Sequence, residues 1–174
     1  MPQPRVVLIG PPGSGKSSVG RALARVLDVA WRDTDEDIAA RAGKSIPDIF
    51  VTDGEPKFRE LEEQAVGEAI AEHAGVLSLG GGAVMREATQ QVLREYADRG
   101  GVTVFLDVSL KAATPRVGLN ASRPLLVGNP RQQWLKLMEL RRPVYEDLAT
   151  TSIVTDDLSA EQVAAVIAEG LERA

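Results

Sequence analysis

The sequence predicts an α/β protein in which a parallel sheet carries helices on both faces. Three observations lead there. Short β-branched apolar runs alternate with longer segments of helical periodicity along the chain. A glycine-rich turn, Gly10 to Ser17, stands between the first such run and the first helix. No repeat, low-complexity tract or linker-like shift in composition interrupts the alternation, so the 174 residues suit one compact domain.

In chain order, a strand is expected over Arg5 to Ile9. A helix follows over Lys16 to Leu27, with Val19, Leu23, Val26 and Leu27 at helical spacing. Ala30 to Asp33 is a weak second strand, and Thr34 to Ala42 a helix closed by Gly43. Ser45-Ile46-Pro47-Asp48 reads as a helix start, with an N-cap serine, an early proline and an acid in the first turn. Asp53 is expected to cap a longer helix reaching about His73, with an apolar stripe from Phe58 through Leu61, Ala65, Val66 and Ala69 to Ile70. Val76 to Leu79 is the third strand, closed by Gly80-Gly81-Gly82, and the next helix covers Arg86 to Ala97. Val102 to Leu106 is the fourth strand, with Ser109 capping the helix after it. Asn120 to Arg131 is rich in proline, glycine and polar groups and reads as a loop. Gln132 to Leu148 is helical but bent or divided at Pro143. Ser152 to Thr155 is a short fifth strand, and Ser159 caps a last helix ending near Arg173.

Composition removes several function classes. The chain has no cysteine, which excludes disulfides, thiolate metal sites and cysteine nucleophiles. Its single histidine, His73, does not make a zinc cluster and is read as a helix-end residue. Net charge is -5 with both signs dispersed, which lacks the basic face that nucleic-acid binding requires. No apolar run approaches the roughly 20 residues that cross a bilayer. Met1 to Arg5 leads straight into the first strand without the pattern of a secretory leader, so the expected compartment is the cytoplasm, with no membrane partner.

Gly10-Pro11-Pro12-Gly13-Ser14-Gly15-Lys16-Ser17 satisfies G-x-x-x-x-G-K-[ST] at every fixed position, after a strand and before an amphipathic helix. Backbone N–H groups of such a loop and the helix N-terminus attract phosphate oxygens. Lys16 can reach the β- and γ-phosphates, and the Ser17 hydroxyl can ligate Mg²⁺ held by them. Nucleoside triphosphate binding is therefore expected, through Gly13, Ser14, Gly15, Lys16, Ser17 and Ser18. The loop by itself names no acceptor.

Three further segments bear on an acceptor. Asp33-Thr34-Asp35 closes the second strand, at the end where doubly wound sheets bind ligands. It reads equally as an Asx turn or helix cap and as a carboxylate pair, one for a metal-bound water and one for a substrate hydroxyl. Arg59 and Glu62 are one helical turn apart. They are either a surface ion pair or an arginine fork for a substrate carboxylate, steadied by the glutamate. Gly80-Gly81-Gly82 exceeds what a turn needs and suits a backbone that a ligand approaches closely.

Together these pieces resemble the shikimate kinase family over Arg5 to about Thr155. The specific motifs are Asp33-Thr34-Asp35, Gly54-Glu55 with Phe58-Arg59 and Glu62, Leu79-Gly80-Gly81-Gly82-Ala83, Arg123-Pro124-Leu125-Leu126, and Arg141-Arg142-Pro143-Val144-Tyr145. The resemblance implies a three-layer α/β/α fold with a five-stranded parallel sheet of order 2-3-1-4-5 and a mobile lid at about 118–131. It implies one kinase domain over 1–174, with an acceptor-binding region at about 34–62. It implies transfer of a phosphoryl group from ATP to shikimate with Mg²⁺. Lys16, Asp35 and Arg123 would be catalytic, with Asp35 as base and Arg123 reaching from the lid. Arg116 would lie against adenine, and Asp33 would hold Mg²⁺ through water beside Ser17. Asp35, Arg59, Gly81, Gly82 and Arg141 would bind shikimate. A small domain with one closing lid can act as a monomer.

Arg142 beside Arg141 leaves open which guanidinium enters the pocket, since neighbours on a helix point about 100° apart. Tyr96 to Gly101 is expected as a surface loop, and Thr155-Asp156-Asp157 is too short to assign as an adenine contact. The rival readings are a gluconate or nucleoside monophosphate kinase of the same build, and a nucleotide-dependent switch without an acceptor.

Overall fold

The structure, a computed structural model, describes residues 2–117 and 129–174. The strands are β1 (Val6–Ile9), β2 (Trp31–Asp33), β3 (Val76–Ser78), β4 (Thr103–Asp107) and β5 (Thr151–Val154). They form one parallel sheet of order β2-β3-β1-β4-β5, the order the family resemblance implied. The connecting helices are α1 (Lys16–Leu27), α2 (Thr34–Ala42), α3 (Ile46–Thr52), α4 (Glu55–Glu72), α5 (Glu87–Asp98), α6 (Leu110–Val117), α7 (Pro130–Leu148) and α8 (Ala160–Arg173).

The central strand explains the layers. Val7 and Ile9 face one side, with Leu77, Leu79 and Phe105, and meet Val66 and Ile70 of α4, Leu93 of α5 and Trp134 and Met138 of α7. Val6 and Leu8 face the other side, with Val76, Val104 and Leu106, against α1 and α8 through Val19, Leu23, Val163 and Ile167. A strand covered on both faces has no polar side to present, so all of Val6–Ile9 is apolar and buried. A third cluster, Ile38, Ile49, Phe58 and Ala65, binds α2, α3 and α4 to one another. There the Phe50 and Phe58 rings lie 4.8 Å apart. Since every strand runs the same way, the segments after all five strands emerge along one edge of the sheet.

Three helix caps expected from the sequence are present. Ser45 accepts from Asp48 N, Ser109 Oγ accepts from Ala112 N at 3.2 Å, and Ser159 forms a capping box with Gln162. Three expectations are corrected. Asp53 does not cap α4; it ends α3 and pairs with Lys44 at 2.6 Å, while Gly54 takes the N-cap position. Pro143 does not divide α7, which is one helix of 19 residues. That helix starts at Pro130, since Asn129 accepts from Gln132 N and a proline is tolerated in the first turn. Tyr96 is not on a surface loop. It lies inside α5 and is fully buried, its hydroxyl donating to Pro4 O at 3.0 Å and accepting from Val102 N at 3.1 Å. The turn that follows is shorter than expected because Gly101 packs directly on the Tyr96 ring.

His73 caps the C-terminus of α4, with Nε2 3.0 Å from Val76 O, and is a helix-end residue. Residues 118–128, most of the expected loop and lid, lie outside the described residues. Among the described residues no helix is long and apolar enough to cross a membrane.

Burial pushes Tyr96 and Tyr145 up to about 12, and they are the chain's only 2 tyrosines. An unfolded tyrosine ionises near 10, so at higher pH the unfolded chain releases protons that the fold retains. Their contribution to stability is full below about pH 10 and is lost as pH rises towards 12. The expected result is a melting temperature that drops through this range, with tyrosinate absorbance appearing only as the protein unfolds. Tyrosinate in still-folded protein near pH 10 would contradict it.

Candidate active site

A cleft of about 470 Å³ opens at the C-terminal edge of the sheet. Gly13, Ser14, Gly15, Lys16, Ser17 and Ser18 line it, with Asp33, Asp35, Gly80, Gly81, Arg116 and Thr155. Every described residue that the sequence nominated for nucleotide or metal is therefore in one place. Arg59, Gly82 and Arg141 are not in that lining; they cluster beside it, next to Gly81. Arg123 lies outside the described residues.

The phosphate loop is held from several directions. A Cβ on Gly10 would sit 2.6 Å from the Leu106 carbonyl oxygen, so no other residue fits between β1 and β4 there. Trp134 of α7 donates to Pro12 O at 2.9 Å. Thr155, at the end of β5, donates to Ser14 O at 3.2 Å. Arg116 donates to Gly13 O at 3.2 Å, to Thr155 Oγ1 at 3.0 Å and to Thr155 O at 2.9 Å. Lys16 arches back over the loop, its Nζ donating to Gly10 O at 2.7 Å and Pro11 O at 3.1 Å.

Asp33 caps a helix and also faces the phosphate loop. One carboxylate oxygen accepts from Asp35 N at 2.8 Å and caps α2. The other accepts from Ser17 Oγ at 3.1 Å. This hydroxyl–carboxylate pair offers hard oxygen donors of the kind Mg²⁺ takes. No group of three or more His, Cys, Asp or Glu set to hold a metal occurs among the described residues. Magnesium at Ser17 and Asp33 would thus draw most of its ligands from phosphate and water, as that ion favours.

Beside the cleft, Arg59 and Glu62 are not a surface pair. Arg59 Nη1 donates to Glu62 Oε1 at 2.7 Å, and Glu62 is only 2 % exposed. Burial pushes the Glu62 carboxyl up, against the opposing pull of Arg59, Arg141 and Arg86. Arg141 is 4 % exposed, whereas Arg142 turns the other way and holds Asp107 with two hydrogen bonds of 2.8 and 2.9 Å. That settles which of the two neighbours points inward: Arg141.

The three glycines serve this crowding. None of Gly80, Gly81 and Gly82 has left-handed backbone; what they lack is bulk. A Cβ on Gly80 would lie 2.8 Å from both Asp35 Oδ1 and Glu62 Oε2. One on Gly82 would lie 2.6 Å from Arg59 Nη1 and 2.9 Å from Arg141 Nη2. Two carboxylates and two guanidinium groups therefore press on three consecutive residues. The sequence did not reveal the burial of Glu62, the anchoring by Thr155 or the bond from Trp134. Only an acid on the apolar stripe of α4 hinted at the first.

Fold and phosphate loop define the class, a P-loop kinase of the nucleoside-monophosphate-kinase build. Within that class the chain belongs to the shikimate kinase family, whose model, described as shikimate kinase, matches residues 12–172. A shikimate kinase of Streptomyces avermitilis is 48 % identical over 172 residues, covering 99 % of this chain and 98 % of that one. One of Salinispora tropica is 52 % identical over 165 residues, covering 95 % of this chain and 96 % of that one. Among solved structures, the shikimate kinase of Acinetobacter baumannii in complex with shikimate superposes with a TM-score of 0.92 at 32 % identity, covering 99 % of this chain and 94 % of that one.

Gly82→Ala tests the crowding. Gly82 has φ -96°, so alanine fits the backbone, and the nearest neighbours of its methyl are guanidinium nitrogens of Arg59 and Arg141. The expected outcome is a folded protein with unchanged nucleotide affinity and affinity for an anionic acceptor reduced about tenfold or more, measured by calorimetric titration. Unaltered acceptor affinity would contradict the placement of the two guanidinium groups.

Proposed function

We propose that the protein transfers the γ-phosphoryl group of ATP to the 3-hydroxyl of shikimate. The products are 3-phosphoshikimate and ADP, on the route to chorismate and the aromatic amino acids. The observation that carries this is the pair of guanidinium groups at Gly82, backed by the buried Glu62 and separated from the phosphate cleft by Gly80 and Gly81. Planar guanidinium groups match a carboxylate, and a carboxylate seated there leaves ring hydroxyls to face Asp35. Shikimate, with one carboxylate and three hydroxyls, has this pattern. The relative solved in complex with shikimate supports the same acceptor.

In this reading Asp35 accepts the proton of the attacking hydroxyl. Lys16 exchanges its carbonyl partners, Gly10 and Pro11, for phosphate oxygens. Arg116, fixed by Thr155, flanks the adenine. Magnesium, when bound beside Ser17 and Asp33, neutralises charge on the phosphates. Arg123, the last of the catalytic candidates, lies outside the described residues. The chain works as one kinase domain over 1–174, with 34–62 as its acceptor-binding region. It acts as a monomer, in the cytoplasm where ATP is held.

The test is coupled ADP release from purified protein with Mg·ATP, offering shikimate, gluconate, AMP and CMP in parallel. Stimulation by shikimate alone is expected. Stimulation by another acceptor instead would overturn the roles given to Asp35, Arg59 and Arg141 while sparing the phosphate loop. Asp35→Asn should lower kcat about 100-fold or more with ATP affinity intact, the scale of a lost general base. Near-normal turnover in the folded variant would remove Asp35 from the chemistry. Arg59→Lys should raise the shikimate KM about tenfold, because lysine cannot form the fork; an unchanged KM would count against the clamp.

A further inference from the structure

Tyr145 stands one helical turn after Arg141 on α7, so the two side chains share a face. Both are buried, Tyr145 completely. The tyrosine ring stacks on Phe105 with centroids 5.0 Å apart and planes at 27°, which fixes where its hydroxyl can reach. That hydroxyl donates to Gly81 O, and the Arg141 guanidinium packs against the same residue, its Nη1 3.1 Å from where a Cβ on Gly81 would stand.

The carbonyls on either side of Gly81 need no such help. Gly80 O accepts from Ala83 N and Gly82 O from Met85 N, each at 3.1 Å, within the 3-10 turn at Ala83–Met85. Gly81 O, between them, is held by a side chain from another layer of the fold. A glycine peptide is otherwise free to rotate. In a trans peptide the carbonyl and the next N–H point in opposite directions, so holding Gly81 O also fixes the direction of Gly82 N–H.

We propose that Tyr145 is a positioning residue for the acceptor: its hydroxyl pins the Gly81–Gly82 peptide beside Arg141 and keeps the two at a fixed spacing. It touches neither ATP nor acceptor and acts through Arg141 and the glycines. The inference rests on the reading of Arg141 and Gly82 as binders of the shikimate carboxylate.

Tyr145→Phe keeps the ring and its stacking and removes only the hydroxyl. The expected result is a shikimate KM raised about five- to tenfold, the effect of one lost buried hydrogen bond, with the ATP KM unchanged. Combined with Arg141→Lys, its effect should be less than additive, because both substitutions loosen one contact chain. A folded variant whose shikimate KM is unaltered overturns the inference. So does a fall in kcat with both KM values constant, which is what loss of active protein through a purely structural role gives. Full additivity with Arg141→Lys overturns it too. The wild-type protein in the same assay separates the two levels: no stimulation by shikimate sinks the acceptor reading and this inference with it, whereas a stimulated wild type and an unaffected variant sink this inference alone.

Discussion

Three successive residues without side chains, at the end of one central strand, let four charged groups converge. Asp35 comes from α2, Glu62 and Arg59 from α4, and Arg141 from α7. Any methyl at Gly80 or Gly82 would push two of them aside. Buried charges persist only when paired and hydrogen-bonded, and here the pairing is mutual. Glu62 is drawn by Arg59, Arg141 and Arg86 together, and Arg59 is held against it at 2.7 Å. The rest of the fold can be seen as the means of bringing three helices to this strand end: α4 and α7 through the large apolar cluster on one face of the sheet, α2 through the smaller cluster with Ile49 and Phe58.

The phosphate cleft and the guanidinium cluster share Gly80 and Gly81 as a wall, and α7 ties them further. Its Trp134 holds the phosphate loop through Pro12 O, its Arg142 holds the end of β4 through Asp107, and its Arg141 joins the charged cluster. Phosphoryl transfer asks a protein for position and charge neutralisation more than for covalent chemistry. A single helix in contact with both halves of the site supplies position directly.

What the sequence disclosed and what it hid divide along physical lines. The phosphate loop, the serine caps at Ser45, Ser109 and Ser159, and the alternation of strands and helices are written in neighbouring residues, and all were legible. The sheet order came through resemblance to a family rather than from periodicity. Features set by distant contacts were not legible. Whether Arg141 or Arg142 points inward depends on the rotation of α7, which is fixed by Pro12 and Asp107 far away in the chain. Arg59 and Glu62 have the spacing of an ordinary surface pair, and only the strand end packed over them makes Glu62 buried. The burial of Tyr96 is set by distant contacts too: the carbonyls that receive its hydroxyl come from Pro4 and Val102. The three glycines were read as room for a ligand, and they make room first for the protein's own charged side chains.

The central claim is that the guanidinium pair at Gly82 reads the acceptor's carboxylate. Calorimetric titration of the wild-type protein with shikimate and with its methyl ester addresses it most directly, since the ester keeps the ring and hydroxyls and loses the charge. An affinity for the ester at least about tenfold weaker is predicted, in line with the loss of charge-assisted bidentate hydrogen bonds. Equal affinity for the two would contradict the account and place the origin of acceptor recognition elsewhere in the site.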